Sequence, residues 1–203
     1  MLRRKIILLV TICFCVTVLS ASAEVIKYSK KIKNIGKIIT SNNVSRSVEA
    51  LAGLSQKERI ELAFWTLENY EKVPPIYYIF LTDDIFTINP KKAAELYFIG
   101  RLRATEDIFM CTDETNRSQI SIYPMLAPNT MEYLAQQKDK TIVNNALKNA
   151  IDWDKTHPKR VNPVWACYHG LAAYDKIPSV KPQKDFVKIQ EEMWDSIEKS
   201  LKE

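Results

Sequence analysis

Cysteine and histidine come nearest to a catalytic pair in this chain. Cys167 lies two residues before His169, and with a distant carboxylate they would make a thiol hydrolase that acts on envelope material. The competing interpretation joins Cys167 to Cys111 in a disulfide, because these are the two cysteines that remain after the predicted leader described below. A free thiolate would be open to oxidation in an exported protein, so the sequence favours the disulfide.

Other catalytic chemistries lack the residues that they need. The chain has 2 histidines, His157 and His169, and neither a His-Glu-x-x-His motif nor a pair of Cys-x-x-Cys motifs. Asp83 and Asp84 are adjacent, so on a helix their side chains point about 100° apart and do not form a carboxylate pair. The 4 glycines are too few for a glycine-rich phosphate loop. We therefore predict a protein that is not an enzyme, with no catalytic residue, metal site or cofactor.

The first 23 residues have the form of an export leader. Arg3, Arg4 and Lys5 precede the apolar run Ile6–Leu19, whose roughly 14 residues fall short of the roughly 20 that span a bilayer. Small residues at the end of this segment are typical of a signal-peptidase site. We predict cleavage after Ala23 and a periplasmic location, with retention of the segment as a membrane anchor as the alternative.

Removal of the leader changes the charge balance. The whole chain has 29 basic and 24 acidic residues and a net charge of +5, whereas the mature chain keeps 26 basic residues and a net charge of +2. A nucleic-acid-binding protein usually carries a concentrated basic surplus. We therefore expect no nucleic-acid partner.

Apolar residues recur at helical spacing along the mature chain, and no long segment shows the alternation of a half-buried sheet. Ser55-Gln56-Lys57-Glu58 has the form of a capping box, and Asn89-Pro90 places a proline after a capping side chain. The sequence predicts an all-α fold, an irregular helical bundle with one disulfide. The longer helices are expected at Glu24–Thr40, Ser55–Lys72, Ile76–Ile88, Lys91–Met110, Asp139–Thr156 and Lys184–Leu201. Shorter helices are expected after Thr112 or Asp113 and after Asn129 or Thr130.

The first predicted helix is basic and precedes a polar break, Ser41–Ser47. We divide the chain into three parts. These are a leader (residues 1–23), a basic amphipathic helix with a linker (residues 24–54) and a helical domain (residues 55–203). The first helix is expected to pack its isoleucines on the body of the protein and to keep its lysines in water. The alternative is weak contact with an anionic membrane surface. The lysines that would make this contact are Lys27, Lys30, Lys31, Lys33 and Lys37.

Aromatic residues are dense between Trp65 and Phe98. The first interpretation places them in the core, and the second has some of them form a concave recognition surface, since aromatic residues anchor protein interfaces. Arg103 lies one turn from Asp107 and is in position to pair with it. The candidates for the recognition surface are Tyr77, Tyr78, Phe86, Arg101 and Arg103.

Three features carry a resemblance to known families. The segment Ile76–Met110, with Asn-Pro at its turn and the run AAELYFIGRLRA after it, resembles one tetratricopeptide-like or Sel1-like helical hairpin without a second copy. The stretch Tyr97–Cys111 resembles segments of uncharacterised exported helical proteins of Gram-negative bacteria. The whole layout is similar to that of periplasmic immunity proteins that neutralise type VI secretion toxins. This last resemblance implies binding and inhibition of a toxin that reaches the periplasm.

We therefore expect an exported, non-enzymatic helical binding protein whose partner is a protein of the cell envelope. Its most concrete version is an immunity or inhibitor protein that neutralises a toxin or an envelope enzyme. Two alternatives stay open at this point. One is an envelope hydrolase that uses Cys167 and His169, and the other is a membrane-peripheral structural factor.

The leader gives a first testable prediction. When the chain is expressed in a Gram-negative host, we expect the intact mass and N-terminal sequence of a protein that begins at Glu24. Ala23→Phe should accumulate the uncleaved precursor, because the cleavage site requires a small residue, whereas the control Ala23→Ser should be processed. A wild-type protein that keeps its leader would contradict the prediction and indicate a membrane anchor.

Overall fold

The computed structural model describes residues 28–41, 44–171 and 178–202. The predicted leader, its cleavage after Ala23 and the basic residue Lys27 lie outside these described residues. Within the described ranges, every helix is too short or too polar to cross a bilayer.

The described residues form α-helices and 3-10 helices, with one isolated bridge between Cys111 and Val180 and no strand. The predicted all-α fold and the predicted disulfide between Cys111 and Cys167 are both confirmed. In chain order the elements are α1 (Lys30–Ile39), α2 (Val44–Ala52), α3 (Gln56–Glu68), α4 (Ile76–Phe86), α5 (Pro90–Phe109), the 3-10 helix η1 (Glu114–Leu126), α6 (Pro128–Ala135), α7 (Thr141–Thr156), the 3-10 helix η2 (Pro163–His169) and α8 (Gln183–Ser200).

Local capping starts two of the long helices where the sequence predicts. Ser55 accepts a hydrogen bond from the backbone N–H of Glu58, whose carboxylate accepts from the backbone N–H of Ser55, and this completes the capping box before α3. The side chain of Asn89 accepts from the backbone N–H of Lys92, with Pro90 in the first turn of α5.

Helix α1 packs its apolar face on the protein, as the first interpretation expects. Ile32, Ile35 and Ile39 are buried in one core with side chains from α3 and α4. The ammonium group of Lys31 lies 2.8 Å from a carboxylate oxygen of Glu58, which ties α1 to α3. Because the isoleucines are buried, only the lysine face of α1 is left for contact with a membrane surface. The described exposed lysines of this face are Lys30, Lys31, Lys33 and Lys37.

Helix α5 is the element around which α4 and the helices after α5 pack. It lies against α4 on one side and α7 on another, and η1, η2, α6 and α8 also contact it. Small side chains make the approach of α4 possible. A Cβ atom built on Gly100 would lie only 2.9 Å from the Cγ1 atom of Ile79 and 3.0 Å from the Cβ atom of Tyr78, so the two helices meet where one has no side chain.

The start of α6 differs from the prediction. The sequence assigns the cap to Asn129 or Thr130, whereas α6 begins at Pro128 and its free N–H groups are bound by Asp83 of α4. The carboxylate of Asp83 accepts from the backbone N–H of Asn129 and of Thr130, both at 3.0 Å, and from the Thr130 hydroxyl at 2.8 Å. The capping residue comes from a distant part of the chain, and sequence pattern alone does not reveal it.

Loss of the Asp83 carboxylate should destabilise the protein. We expect Asp83→Ala to lower the free energy of unfolding by about 1 to 2 kcal/mol, because two backbone N–H groups at the start of α6 lose their acceptor. Urea denaturation followed by circular dichroism measures this change. The control Asp152→Ala removes an exposed carboxylate from α7 and should have little effect. Equal destabilisation by the two substitutions would contradict the capping role.

Candidate functional site

An apolar groove lies between α2, α4, η1 and η2 and has a volume of about 860 Å³. Val48 and Leu51 line it from α2, Phe80 from α4, Leu126 from η1 and Trp165 from η2. Concave and mostly apolar surfaces of this size are typical of binding sites. The groove is therefore our candidate functional site.

Exposed apolar side chains concentrate at this groove. Val48, Ile122 and Tyr168 line it, and all three are exposed to solvent. Two further exposed apolar residues, Met125 of η1 and Leu171 just after η2, belong to the segments that form its walls. A soluble protein rarely gathers exposed apolar residues in one place without a binding role.

The polar side chains that line the groove are either hydrogen-bonded to a partner or uncharged. The Nε atom of Arg59 donates to both carboxylate oxygens of Asp84 at 2.9 Å, and the amide of Gln119 donates to the carbonyl oxygen of Ala166 at 2.8 Å. Burial of part of the His169 ring lowers its pKa below the usual value, which favours the neutral imidazole. The described groove therefore suits an uncharged apolar surface.

The disulfide fixes η2, which forms one wall of the groove. Cys167 of η2 is bonded to Cys111, just after α5, with 5.4 Å between the two Cα atoms. In this bonded form Cys167 has no thiolate, so the predicted pair of Cys167 and His169 lacks its nucleophile. His169 instead lies exposed at the edge of the groove.

A buried cluster of five charged side chains lies behind this wall. The Nε atom of Arg103 is 2.6 Å from an oxygen of Asp154, and an Nη atom of Arg160 is 2.6 Å from Glu106 and 2.8 Å from Asp154. The other Nη atom of Arg160 is 3.3 Å from Asp107. Two guanidinium groups thus share three carboxylates, and we call these residues the charge cluster.

The charge cluster binds further groups from distant parts of the chain. The indole N–H of Trp165 in η2 donates to Asp107 at 2.8 Å, and that of Trp194 in α8 donates to Asp154 at 3.1 Å. Arg103 also donates to the backbone carbonyl of His157, in the loop between α7 and η2. The cluster therefore holds α5, α7, this loop, η2 and α8 in one arrangement, and through Trp165 it positions the groove wall.

Aromatic rings pack against the buried guanidinium group of Arg103. Its Cζ atom lies 4.6 Å from the centre of the Trp153 ring and 5.3 Å from that of Tyr70, which are cation–π distances. The ring of His157 stacks on Trp153 with 4.2 Å between their centres. These rings keep water from the guanidinium group and make the interactions of the cluster stronger.

Glu106 has the weakest support among the three carboxylates. Asp154 and Asp107 accept hydrogen bonds from indole N–H groups as well as from guanidinium groups, whereas one carboxylate oxygen of Glu106 has no partner among the described residues. Burial raises the pKa of Glu106 to about 8, and the nearby carboxylates of Asp154 and Asp107 act in the same direction while Arg160 opposes them. Burial raises the pKa of Asp107 as well. Because the Asp107 carboxylate accepts hydrogen bonds from both Trp165 and Arg160, we assign the proton that the cluster shares at neutral pH to Glu106.

The predicted recognition residues do not form one surface. Tyr78 and Arg103 are fully buried, so their prediction as surface residues is wrong: Arg103 pairs with Asp154, and Tyr78 packs inside the core. Tyr77 is also buried, although it lines the groove. Phe86 is half-buried against a ring of α6, and Arg101 lines a separate cavity of about 580 Å³. The aromatic residues of this stretch are mostly core, as the first interpretation expects.

The described residues include no group of three or more histidine, cysteine, aspartate or glutamate side chains that would hold a metal ion. The charge cluster has three carboxylates, but two arginines already occupy them.

The proton on Glu106 makes stability depend on pH. Between about pH 5 and the pKa of 8, the folded protein binds a proton that the unfolded chain releases, so the free energy of unfolding should fall as pH rises through this range. Glu106→Gln mimics the protonated carboxyl, and we expect it to flatten this fall and to gain stability relative to the wild type at high pH. Urea titrations at several pH values measure both curves.

The control for this experiment is Glu191→Gln, which changes an exposed carboxylate of α8 and should leave the pH profile unchanged. A constant loss of stability in Glu106→Gln at every pH would show that the wild-type carboxyl is ionised, and would contradict the assignment.

Comparison of the chain with family models, with curated proteins and with solved structures gives no match. The tetratricopeptide-like hairpin and the similarity to immunity proteins stay predictions.

Proposed function

We propose that this protein is an exported binding protein and that its groove takes up an apolar segment of a partner protein in the cell envelope. It acts by contact and carries out no reaction. In its most concrete version, the partner is a toxin or an envelope enzyme, and the bound protein is its inhibitor.

The observation that carries this proposal is the convergence of exposed apolar side chains on one groove. Val48, Ile122 and Tyr168 come from three separate elements, yet all three meet at the same cavity. Holding apolar surface in water is unfavourable, and a partner that covers it gains the hydrophobic free energy of burial.

The extent of this surface favours a polypeptide over a small molecule. The exposed side chains of Met125 and Leu171 extend the apolar character along η1 and past the end of η2. Protein interfaces have an apolar centre with aromatic residues, and Tyr168 and Trp165 supply such residues here. The uncharged groove suits aliphatic and aromatic side chains of the partner.

The expected compartment agrees with this proposal. The leader directs the chain to an oxidising compartment, and a disulfide such as Cys111–Cys167 is stable in such a compartment. The disulfide also holds the groove wall in place before the partner binds, which reduces the conformational entropy lost on binding.

Matched pairs of substitutions test the groove. Val48 and Val187 have nearly the same exposure, 54% and 55%, but only Val48 lines the groove. Peptides selected on the disulfide-bonded chain from a random display library should be rich in aliphatic and aromatic residues. We expect Val48→Glu to weaken the binding of these peptides at least about tenfold, because the new carboxylate loses water on binding.

Val187→Glu is the control and should leave peptide affinity within about twofold of wild type. Ile122→Glu and Ile88→Glu form a second pair, at 47% and 58% exposure, with Ile122 in the groove and Ile88 outside it. Fluorescence anisotropy with labelled peptides measures all four variants. Equal binding by groove and control variants would contradict the proposed site.

The inhibitor version has its own test. A toxin encoded next to this chain should lose its activity when mixed with the mature protein, and Val48→Glu should restore that activity while Val187→Glu should not. A purified chain that hydrolyses peptidoglycan fragments would overturn the non-enzymatic proposal.

A further inference from the structure

We propose that a second cavity, lined by cations, binds a small organic anion that carries two or more carboxylate or phosphate groups. This basic cavity has a volume of about 830 Å³ and is lined by residues 71–72, 158–163, 180–181, 183 and 186 together with Met110. Its lining differs from that of the apolar groove, and the proposal does not rest on the function of the groove.

Four cationic side chains from three separate segments line the basic cavity. They are Lys72, Lys159, Arg160 and Lys181, and Glu71 is the one acidic residue of the described lining. Glu71 lies 3.5 Å from the ammonium group of Lys159. Among the described residues, no carboxylate lies within ion-pair distance of Lys72 or Lys181. Arg160 and Lys159 have carboxylate partners, so the unpaired positive charge that the described lining brings to this cavity is that of Lys72 and Lys181.

Arg160 lines the inner side of this cavity and connects it to the charge cluster. Its side chain is only 7% exposed, and three carboxylates of the charge cluster hold its Nη atoms. The Phe186 ring, which also lines the cavity, lies 4.4 Å from its Cζ atom. Its buried Nε–H group has no acceptor among the described residues, so the carboxylates do not use every donor of this guanidinium group.

The unpaired lysines make the cavity attractive to an anion. A concave site lined by charges of one sign concentrates their field and attracts the opposite charge. The predicted mature chain has a net charge of only +2, so this clustering does not follow from a general basic surplus. Attraction of an anion by Lys72 and Lys181 is the driving force for binding.

The shape of the cavity defines the class of ligand. Its volume falls in the range of about 300 to 1,000 Å³ that is usual for small-molecule sites. Met110, Val180 and Phe186 add apolar walls, which suit the hydrocarbon part of an organic anion better than a bare inorganic ion. Several cations favour a ligand with more than one anionic group.

Isothermal titration calorimetry with citrate as the probe tests this proposal on the purified, disulfide-bonded chain at low ionic strength. We expect saturable binding of one citrate per chain, with affinity that falls as sodium chloride is added, because salt screens the lysines. Inorganic phosphate should bind more weakly than citrate, and uncharged glycerol should give no saturable heat. Absence of saturable citrate binding would overturn the proposal.

A double variant locates the site. Lys72→Gln with Lys181→Gln should weaken citrate binding at least about tenfold and leave the melting temperature unchanged, because neither lysine has an ion pair among the described residues. The control, Lys57→Gln with Lys148→Gln, makes the same change in net charge at exposed positions outside the cavity. Equal weakening in both double variants would show attraction by net charge alone and would refute the site. If the first double variant melts early, Lys159→Gln provides the same comparison against Lys148→Gln.

Discussion

Three buried carboxylates that share two guanidinium groups constrain most of the long-range geometry of this protein. A charge removed from water costs several kcal/mol unless it is paired, so each of these residues must find its partners when the chain folds. Glu106 and Asp107 come from α5, Asp154 comes from α7, and Arg160 comes from the loop that follows α7. The cluster adds little net stability of its own, since buried ion pairs roughly balance their desolvation. Its effect is to exclude other paths of the loop and other positions of α7.

The sequence was sufficient for the parts of the fold that depend on local chemistry. Ser55 with Glu58 and Asn89 with Pro90 start helices through hydrogen bonds within four residues, so their spacing in the sequence is enough to predict them. The isoleucine stripe of α1 is likewise a property of one segment. The disulfide was predictable for a different reason, because the chain has one pair of cysteines after the predicted leader.

The charge cluster was not predictable, because its partners are far apart in the sequence. Spacing on α5 suggests that Arg103 pairs with Asp107 one turn away, but Arg103 instead pairs with Asp154, 51 residues further along. Asp107 pairs with Arg160, which lies in a loop whose proline content indicates only that it is not helical. Tyr78 and Arg103 were assigned to a surface for the same reason: a single segment does not show which of its faces the rest of the chain covers.

One buried carboxylate, that of Asp107, is hydrogen-bonded both to a residue that lines the groove and to a residue that lines the basic cavity. Asp107 accepts a hydrogen bond from Trp165, which lines the groove, and another from Arg160, which lines the basic cavity. Cys167, two residues after Trp165, is bonded to Cys111 at the end of α5. The wall formed by η2 is thus held by a covalent bond and by a buried, charge-assisted hydrogen bond to the same helix. Because both restraints act in the free protein, the shape of the groove is set before a ligand arrives, and little ordering of this wall remains to oppose binding.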